Sequence, residues 1–237
     1  MRPELLCAVI AAGANVAGAL AVTSRTTWSV RALDTMLAFA AGFMVSVALG
    51  ELLPEAFARG GMYAGVIVLA GYLAVHLTQH TLTAHFHFGE ETHAVTKVVS
   101  VGALAGLLLH TVVDGVAIAS GFQVGKELGT LVFAAVVLHK LPEGLAISSL
   151  FLAAGAGRAR ALGAAAALGV ATIAGTLLTG LWSGLAAIGL PLAAGVTLYV
   201  AASNLVPEVQ AKRTARGALA FFSGAGAFLV ARALIFG

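Results

Sequence analysis

Long apolar stretches interrupted by short polar breaks constrain this chain more than any other feature of its sequence. Charged residues make up 10% of its 237 residues and hydrophobic residues 60%, whereas a soluble domain has about 25% and about 45–50% respectively. A helix needs about 20 apolar residues to cross a bilayer, so the length allows about eight crossings. The sequence therefore excludes the soluble and disordered classes and predicts an all-α membrane protein.

The polar breaks predict eight transmembrane helices and a single transmembrane domain over residues 1–237, with a histidine-rich loop at 85–96. The first apolar stretch is longer than the core of a signal peptide, so we expect a permanent span there. The predicted spans cover residues 4–24, 32–58, 61–84, 97–122, 128–154, 161–188, 191–210 and 217–236.

The distribution of lysine and arginine predicts the orientation of these spans. Eight such residues lie in the first–second, third–fourth, fifth–sixth and seventh–eighth connections, and four lie on the other side. The positive-inside rule places the first set in the cytoplasm and both termini outside it. We attribute the net positive charge of +3 to the basic residues that set this orientation. We therefore expect no nucleic-acid partner. We expect a cell-membrane protein, of the bacterial inner membrane, whose many small residues leave a homodimer open.

Five of the seven histidines fall within eighteen residues around the third connection. The segment is either a hydrated polar loop or a weak metal site that combines imidazoles with the carboxylates of Glu90 and Glu91. Its composition favours weak metal binding on the cytoplasmic side. The histidines are His76, His80, His85, His87 and His93.

Charged residues inside the fourth and fifth spans are the most informative, because a charge at mid-membrane costs about 2.5–3.5 kcal/mol on insertion scales. Each span has an imidazole, then a carboxylate four residues later, then glycine: His110 and Asp114 in one, His139 and Glu143 in the other. The spacing puts each pair on one helix face. Two buried ion pairs could hold the helices together, but the duplication favours a site for a divalent first-row ion such as Zn²⁺ or Fe²⁺.

Lys140 and Thr111 follow the two histidines and limit the number of ions in such a site. The ammonium of Lys140 can pair with Glu143, with Asp114 or with a carboxylate from another helix and offset charge that would attract a second cation, or it can extend to an interface. Thr111 offers only a neutral hydroxyl. Together they predict one metal ion and not two.

Two further spans share a polar residue followed four positions later by a glutamate that comes after proline. Glu51 and Glu55 form this pattern in the second span, and Asn204 and Glu208 form it in the seventh. The first three and last three spans therefore look like distant copies around the central two, which predicts a 3+2+3 arrangement. Internal repeats of this kind are common in secondary transporters. These residues are either relay ligands or helix-end groups. We favour a relay for Glu208, while Glu51 and Glu55 are evenly balanced.

These motifs resemble those of the ZIP family of divalent-metal transporters, and the resemblance covers essentially the whole chain. His-Thr-Val-Val-Asp-Gly at 110–115 is similar to the family's span-four motif, and His-Lys-Leu-Pro-Glu-Gly at 139–144 to its span-five motif. The resemblance implies elevator-like sliding of spans one, four, five and six against the others. It also implies that the transported metal binds His110, Asp114, His139 and Glu143.

The chain departs from that family at three places. Thr111 stands where binuclear members have asparagine, and Lys140 where they have an acidic residue. The sixth span contains no carboxylate, although some relatives place a glutamate there; Thr172 and Thr176 offer only hydroxyls. The departures support a mononuclear site.

We therefore expect a transporter that imports a divalent metal ion, with Zn²⁺ first and Fe²⁺, Mn²⁺ and Cd²⁺ as further substrates. An intramembrane metalloenzyme is one alternative, but the sequence lacks His-Glu-x-x-His and a separate general base, so we expect no enzyme. A metal-gated channel or sensor with the same ligands is the other. The sequence leaves uniport and proton coupling open.

Overall fold

The computed structural model describes residues 2–24, 30–81 and 97–236, and these contain only helices and the turns between them. The predicted loop at 85–96 lies outside the described residues, and with it His85, His87 and His93. The α-helices are α1 (Pro3–Ser24), α2 (Val30–Val47), α3 (Leu53–Gly60), α4 (Ala64–Thr81), α5 (Lys97–Val124), α6 (Lys126–Ala153), α7 (Arg158–Leu181), α8 (Ser183–Tyr199), α9 (Val206–Ala211) and α10 (Ala215–Phe236).

Seven stretches of the described residues are long and apolar enough to cross a membrane, in agreement with the predicted all-α membrane protein. One of them, Asp34–Thr78, has 45 residues; it begins within α2, includes α3 and ends within α4. Its first part runs antiparallel to α8 and α9. Asp34 Oδ1 lies 2.5 Å from Lys212 Nζ, just after α9, and a methyl group on Gly60 would lie 3.4 Å from Cγ of Pro191 in α8.

The chain reverses its direction between α3 and α4. Gly61 has a φ of 58°, a left-handed conformation that glycine adopts without steric strain, and a short 3₁₀ turn follows over Gly61–Tyr63. Helix α4 then runs alongside α8, so that the His76 ring lies 5.7 Å from the ring of Tyr199, at the end of α8. The 45-residue stretch is thus two antiparallel segments.

Two π-helical turns interrupt the helices at corresponding places in the sequence. One covers Ala48–Leu52 before α3, and the other covers Val200–Leu205 before α9. Each is followed by a proline, Pro54 or Pro207, at the second position of the next helix. Proline has no N–H to donate, and the first turn of a helix tolerates this. Single π turns occur frequently at functional sites.

The break between the sixth and seventh predicted spans lies elsewhere than expected. The sequence suggests a break at 189–191, but this prediction is wrong: helix α8 begins at Ser183 and continues through Pro191. The chain leaves helical geometry at Trp182, whose φ and ψ are −122° and 105°. Leu190 and Ala193 beside the proline are buried. Their packing outweighs the single backbone hydrogen bond that proline removes.

Glycines bring four pairs of helices into backbone contact. In each pair, a glycine on either helix faces the other backbone so closely that a methyl group there would lie 1.9–2.4 Å from a carbonyl oxygen. Small residues permit such close packing between membrane helices. The pairs are α1 with α6 (Gly18, Gly144), α5 with α7 (Gly115, Gly175), α2 with α10 (Gly42, Gly224) and α4 with α8 (Gly71, Gly195). Helix α1 also packs along α7, so α1, α5, α6 and α7 form one connected group.

Candidate metal centre

Four side chains from α5 and α6 converge inside the helix bundle. Helix α5 contributes His110 and Asp114, and α6 contributes His139 and Glu143, each pair one turn apart on its helix. One potential ligand atom from each residue lies within 4.8 Å of all the others. All four side chains are buried. The spacing of four residues accounts for each pair, and the packing of α5 against α6 brings the two pairs together.

Asp114 lies at the centre of this group. Its Oδ2 atom is 3.4 Å from His110 Nε2 and 3.3 Å from His139 Nε2, and His139 Nε2 is 3.8 Å from Glu143 Oε2. His139 Nδ1 lies 2.9 Å from the carbonyl oxygen of Ala135 and donates its N–H there in the neutral tautomer. Such a bond fixes the ring and directs the Nε2 lone pair toward the group, as in metal-binding histidines.

Lys140 places a positive charge inside the same group. Its Nζ atom lies 2.6 Å from Asp114 Oδ2 and 2.7 Å from Glu143 Oε2, and it donates to Thr111 Oγ1 at 3.2 Å. Thr111 in turn donates to Glu143 Oε1 at 3.0 Å. Lys140 is 0% exposed, so its ammonium does not extend to an aqueous interface. With neutral imidazoles, two carboxylates and one ammonium give the group a formal charge of −1.

A small cavity of about 30 Å³ adjoins the candidate ligands. A cavity of roughly 10–15 Å³ is already large enough to hold one water molecule. His110, His139, Glu143 and Pro142 line one side, and Asn204 from the second π turn lines the other. The space beside the imidazoles therefore suits one small ion or water molecule.

The other predicted relay residues have different surroundings. Glu51 pairs with Arg232 of α10, and Glu55 pairs with Arg59 one turn along α3. Neither lines the cavity beside the candidate ligands. The backbone of Glu208 is in α9, but its side chain lies outside the described part of the structure. Glu51 and Glu55 are thus each paired with an arginine, and a relay role for them stays a prediction.

The histidines of the predicted loop site are only partly described. His76 is exposed on α4 and packs against Tyr199, while the side chain of His80 is outside the described part. Within residues 2–24, 30–81 and 97–236, the α5–α6 group is the one cluster of three or more potential His, Cys, Asp or Glu ligands. The loop site stays a prediction.

Asn15 of α1 is a buried polar residue that sequence reasoning did not single out. It is 0% exposed, and neither atom of its amide has a hydrogen-bond partner among the described residues. Its backbone contacts Gly144 of α6, directly after Glu143. The sequence signal that could have identified Asn15 is a single side-chain amide in the middle of an apolar span. Thr176, considered as a hydroxyl ligand, instead donates to the carbonyl oxygen of Gly115 at 3.0 Å.

Comparison with known families supports the grouping of these motifs. The family described as ZIP Zinc transporter matches residues 89–232, more than half of the chain and a region that includes all four candidate ligands. The chain belongs to the ZIP zinc transporter family. Together with its apolar helices, this makes it a multi-pass membrane protein. The family consists of transporters, in agreement with the expectation that the chain is not an enzyme.

Individual ZIP proteins match over part of their length. Zinc transporter ZIP9-A of Xenopus laevis is 30% identical over 162 residues, which cover 62% of this chain and 53% of that protein. Zinc transporter SLC39A7 of Homo sapiens is 30% identical over 118 residues, 45% of this chain and 25% of that protein. The chain thus spans between a quarter and slightly more than half of the length of these curated relatives.

Proposed function

We propose that this chain transports a divalent metal ion across the membrane, with Zn²⁺ as its first substrate, and that the α5–α6 group binds the ion in transit. The observation that carries the proposal is the buried convergence of His110, Asp114, His139 and Glu143 within 4.8 Å, in a chain of the ZIP family. Buried ionisable residues in membrane helices usually line a substrate pathway.

The ligand chemistry supports zinc without excluding its neighbours. Imidazole nitrogens with carboxylate oxygens suit Zn²⁺, and the same donors accept Fe²⁺, Mn²⁺ and Cd²⁺. The similar proteins ZIP9-A and SLC39A7 are named zinc transporters, which supports proposing Zn²⁺ as the first substrate.

We propose a single bound ion per transport site. Lys140 contacts both carboxylates, so its ammonium stands where a second divalent cation would need their oxygens. One divalent ion changes the formal charge of the group from −1 to +1, whereas two would leave +3 in a dry environment, which is strongly unfavourable.

We propose eight crossings, with both termini outside and transport directed into the cytoplasm. The reversal at Gly61 supports dividing the 45-residue apolar stretch Asp34–Thr78 into two crossings, which changes seven stretches into eight. The bias of lysine and arginine supports the orientation. A negative interior favours entry by about 2.3 kcal/mol per charge per 100 mV.

Alternating access is supported by the way the helices are joined. Glycine–backbone contacts connect α5 and α6 with α7 and α1, and separately connect α2 with α10 and α4 with α8. Where Gly189 of α8 faces α5, its nearest neighbours are the side chains of Ser120 and Val116. We propose that α1, α5, α6 and α7 carry the ion as one unit past the other helices.

Zinc uptake into proteoliposomes tests the proposal. The variants His139→Ala and Glu143→Gln are compared with the unaltered chain and with Glu127→Gln, which changes an exposed carboxylate of the same helix. We expect saturable uptake that falls at least about tenfold in the two site variants, since even partners of metal ligands contribute about 10–100-fold to affinity. Glu127→Gln should retain uptake. Undiminished uptake in correctly folded His139→Ala and Glu143→Gln would contradict the proposed site.

A further inference from the structure

An open groove of about 750 Å³ lies between α2, α6 and α10. Its volume is within the range of about 300–1,000 Å³ that is typical of small-molecule sites. Arg31 of α2 and Arg216 of α10 line it, together with residues of both helices and Leu138 of α6. The groove is separate from the metal centre, although Leu138 directly precedes His139.

The two arginines lie at the same end of this groove because α2 and α10 run parallel. A methyl group on Gly224 would lie 2.0 Å from the carbonyl oxygen of Phe39. Further along both helices, the rings of Phe43 and Phe228 are 6.2 Å apart. Arg31 precedes Phe39 by eight residues, which is about 12 Å of helix. The groove therefore has a basic end and a wall that continues toward the middle of the bundle.

The wall beyond the arginines is mainly apolar. Met36 and Phe39 of α2, Leu138 of α6 and Ala220 of α10 contribute to it, and Ser223 adds a hydroxyl that donates to a carbonyl of its own helix, that of Leu219, at 2.7 Å. An occupant must accordingly present hydrocarbon along most of its length.

The arginines have no carboxylate partner within 4.0 Å among the described residues, in contrast to Arg59, Arg232 and Lys212. Both are exposed. The guanidinium fork matches a phosphate group in a bidentate manner. Two such groups at the end of an apolar groove are complementary to a phosphate that carries acyl chains.

We propose that this groove binds an anionic phospholipid, with its phosphate between Arg31 and Arg216 and an acyl chain along Phe39, Leu138 and Ala220. The arginine end is the side that the charge bias assigns to the cytoplasm, where basic pockets between membrane helices bind anionic head groups. The acyl chain contacts α6 one residue before His139. Bound lipid thereby favours one position of α6 relative to α2 and α10, and this regulatory consequence rests on the proposed transport function.

Native mass spectrometry of the purified protein with phosphatidylglycerol or phosphatidylcholine tests the binding directly, without a transport assay. We expect one phosphatidylglycerol molecule to bind saturably, at least tenfold more tightly than phosphatidylcholine. The double variant Arg31→Gln/Arg216→Gln should lose that preference. Arg158→Gln/Arg160→Gln, which removes two exposed arginines on the same predicted side, should retain it.

A second variant separates the groove from general attraction to a basic surface. Ser223→Trp fills the groove without a change of charge, and we expect it to reduce binding of phosphatidylglycerol at least tenfold. The proposal is overturned if Ser223→Trp binds normally, if both double variants lose the lipid equally, or if glycerol phosphate competes as well as the whole lipid. Since none of these outcomes involves zinc, they are independent of the transport proposal.

Discussion

Lys140 Nζ lies 2.6 Å from Asp114 Oδ2, and the lysine is 0% and the aspartate 3% exposed. The ammonium also contacts Glu143, so one fixed cation serves both carboxylates of the proposed metal site. Removing one partner of a buried ion pair typically destabilises a protein by about 3–5 kcal/mol. The lysine therefore balances charge in the metal-free site, and we expect it to limit how many ions the site accepts.

Lys140→Gln should lower the thermal midpoint of the metal-free protein and raise the number of bound Zn²⁺ ions per chain from about one toward two. The two carboxylates then lack a fixed counter-charge, and a second divalent ion supplies it. Thermal unfolding in detergent and elemental analysis measure the two effects. Lys126→Gln, at the exposed start of the same helix, is the control. An unchanged ion count would argue against this role of Lys140.

Thr111→Val should weaken zinc binding and destabilise the protein by about 1–3 kcal/mol, because a buried hydrogen-bonding group loses its partner. The Thr111 hydroxyl donates to Glu143 and accepts from Lys140. In the control Thr130→Val, the lost hydroxyl bonds only to a carbonyl of its own helix, that of Lys126. Calorimetric titration with Zn²⁺ compares the two variants. If both bind zinc with the same affinity, Thr111 does not contribute to the site.

Gly175→Ala should destabilise the protein by about 1–3 kcal/mol, the usual effect of overpacking. The added methyl group would lie 1.9 Å from the carbonyl oxygen of Val112 in α5. In the control Gly163→Ala on the same helix, the added methyl group has no neighbouring atom within 4 Å. Because alanine has the higher helix propensity, this variant should be more stable by up to about 1 kcal/mol. Thermal midpoints in detergent distinguish them, and similar midpoints would mean that α5 and α7 separate without penalty.

Glu51→Gln should retain at least about half of the zinc uptake of the unaltered chain. Its carboxylate pairs with the exposed Arg232 and does not line the cavity beside the candidate ligands, and an ion pair at the protein surface contributes only about 0–1 kcal/mol. Initial uptake rates in proteoliposomes, corrected for the amount of folded protein, test this. A loss as large as that of Glu143→Gln would instead support a relay role for Glu51.

The spacing of four residues was sufficient to predict that His110 shares a face with Asp114, and His139 with Glu143, because helical periodicity is a local property. Periodicity could not show that the two faces meet within 4.8 Å, since this depends on how α5 packs against α6. The sequence also left open whether Lys140 pairs with Asp114 or Glu143. Its long side chain reaches both, which only the three-dimensional arrangement reveals.

The misplaced break near Pro191 has a comparable cause. Proline is a strong local signal for the end of a helix, but Leu190 and Ala193 are buried and their packing keeps α8 continuous. The actual break at Trp182 has no proline, and its local signal is the turn dipeptide Ser183-Gly184 directly after it. Tertiary packing, which a local pattern does not contain, decides such positions.

The ammonium of Lys140 also affects how a membrane voltage acts on a transport cycle. If the metal-binding unit crosses the field with neutral imidazoles, it moves inward with a charge of +1 when loaded and returns with −1 when empty. A negative cytoplasm then favours both the inward movement of the loaded unit and the outward return of the empty unit. Each movement across the whole membrane is favoured by about 2.3 kcal/mol per 100 mV. With an uncharged residue in place of Lys140 and a single bound ion, the loaded unit would be neutral and the voltage would act on the return alone.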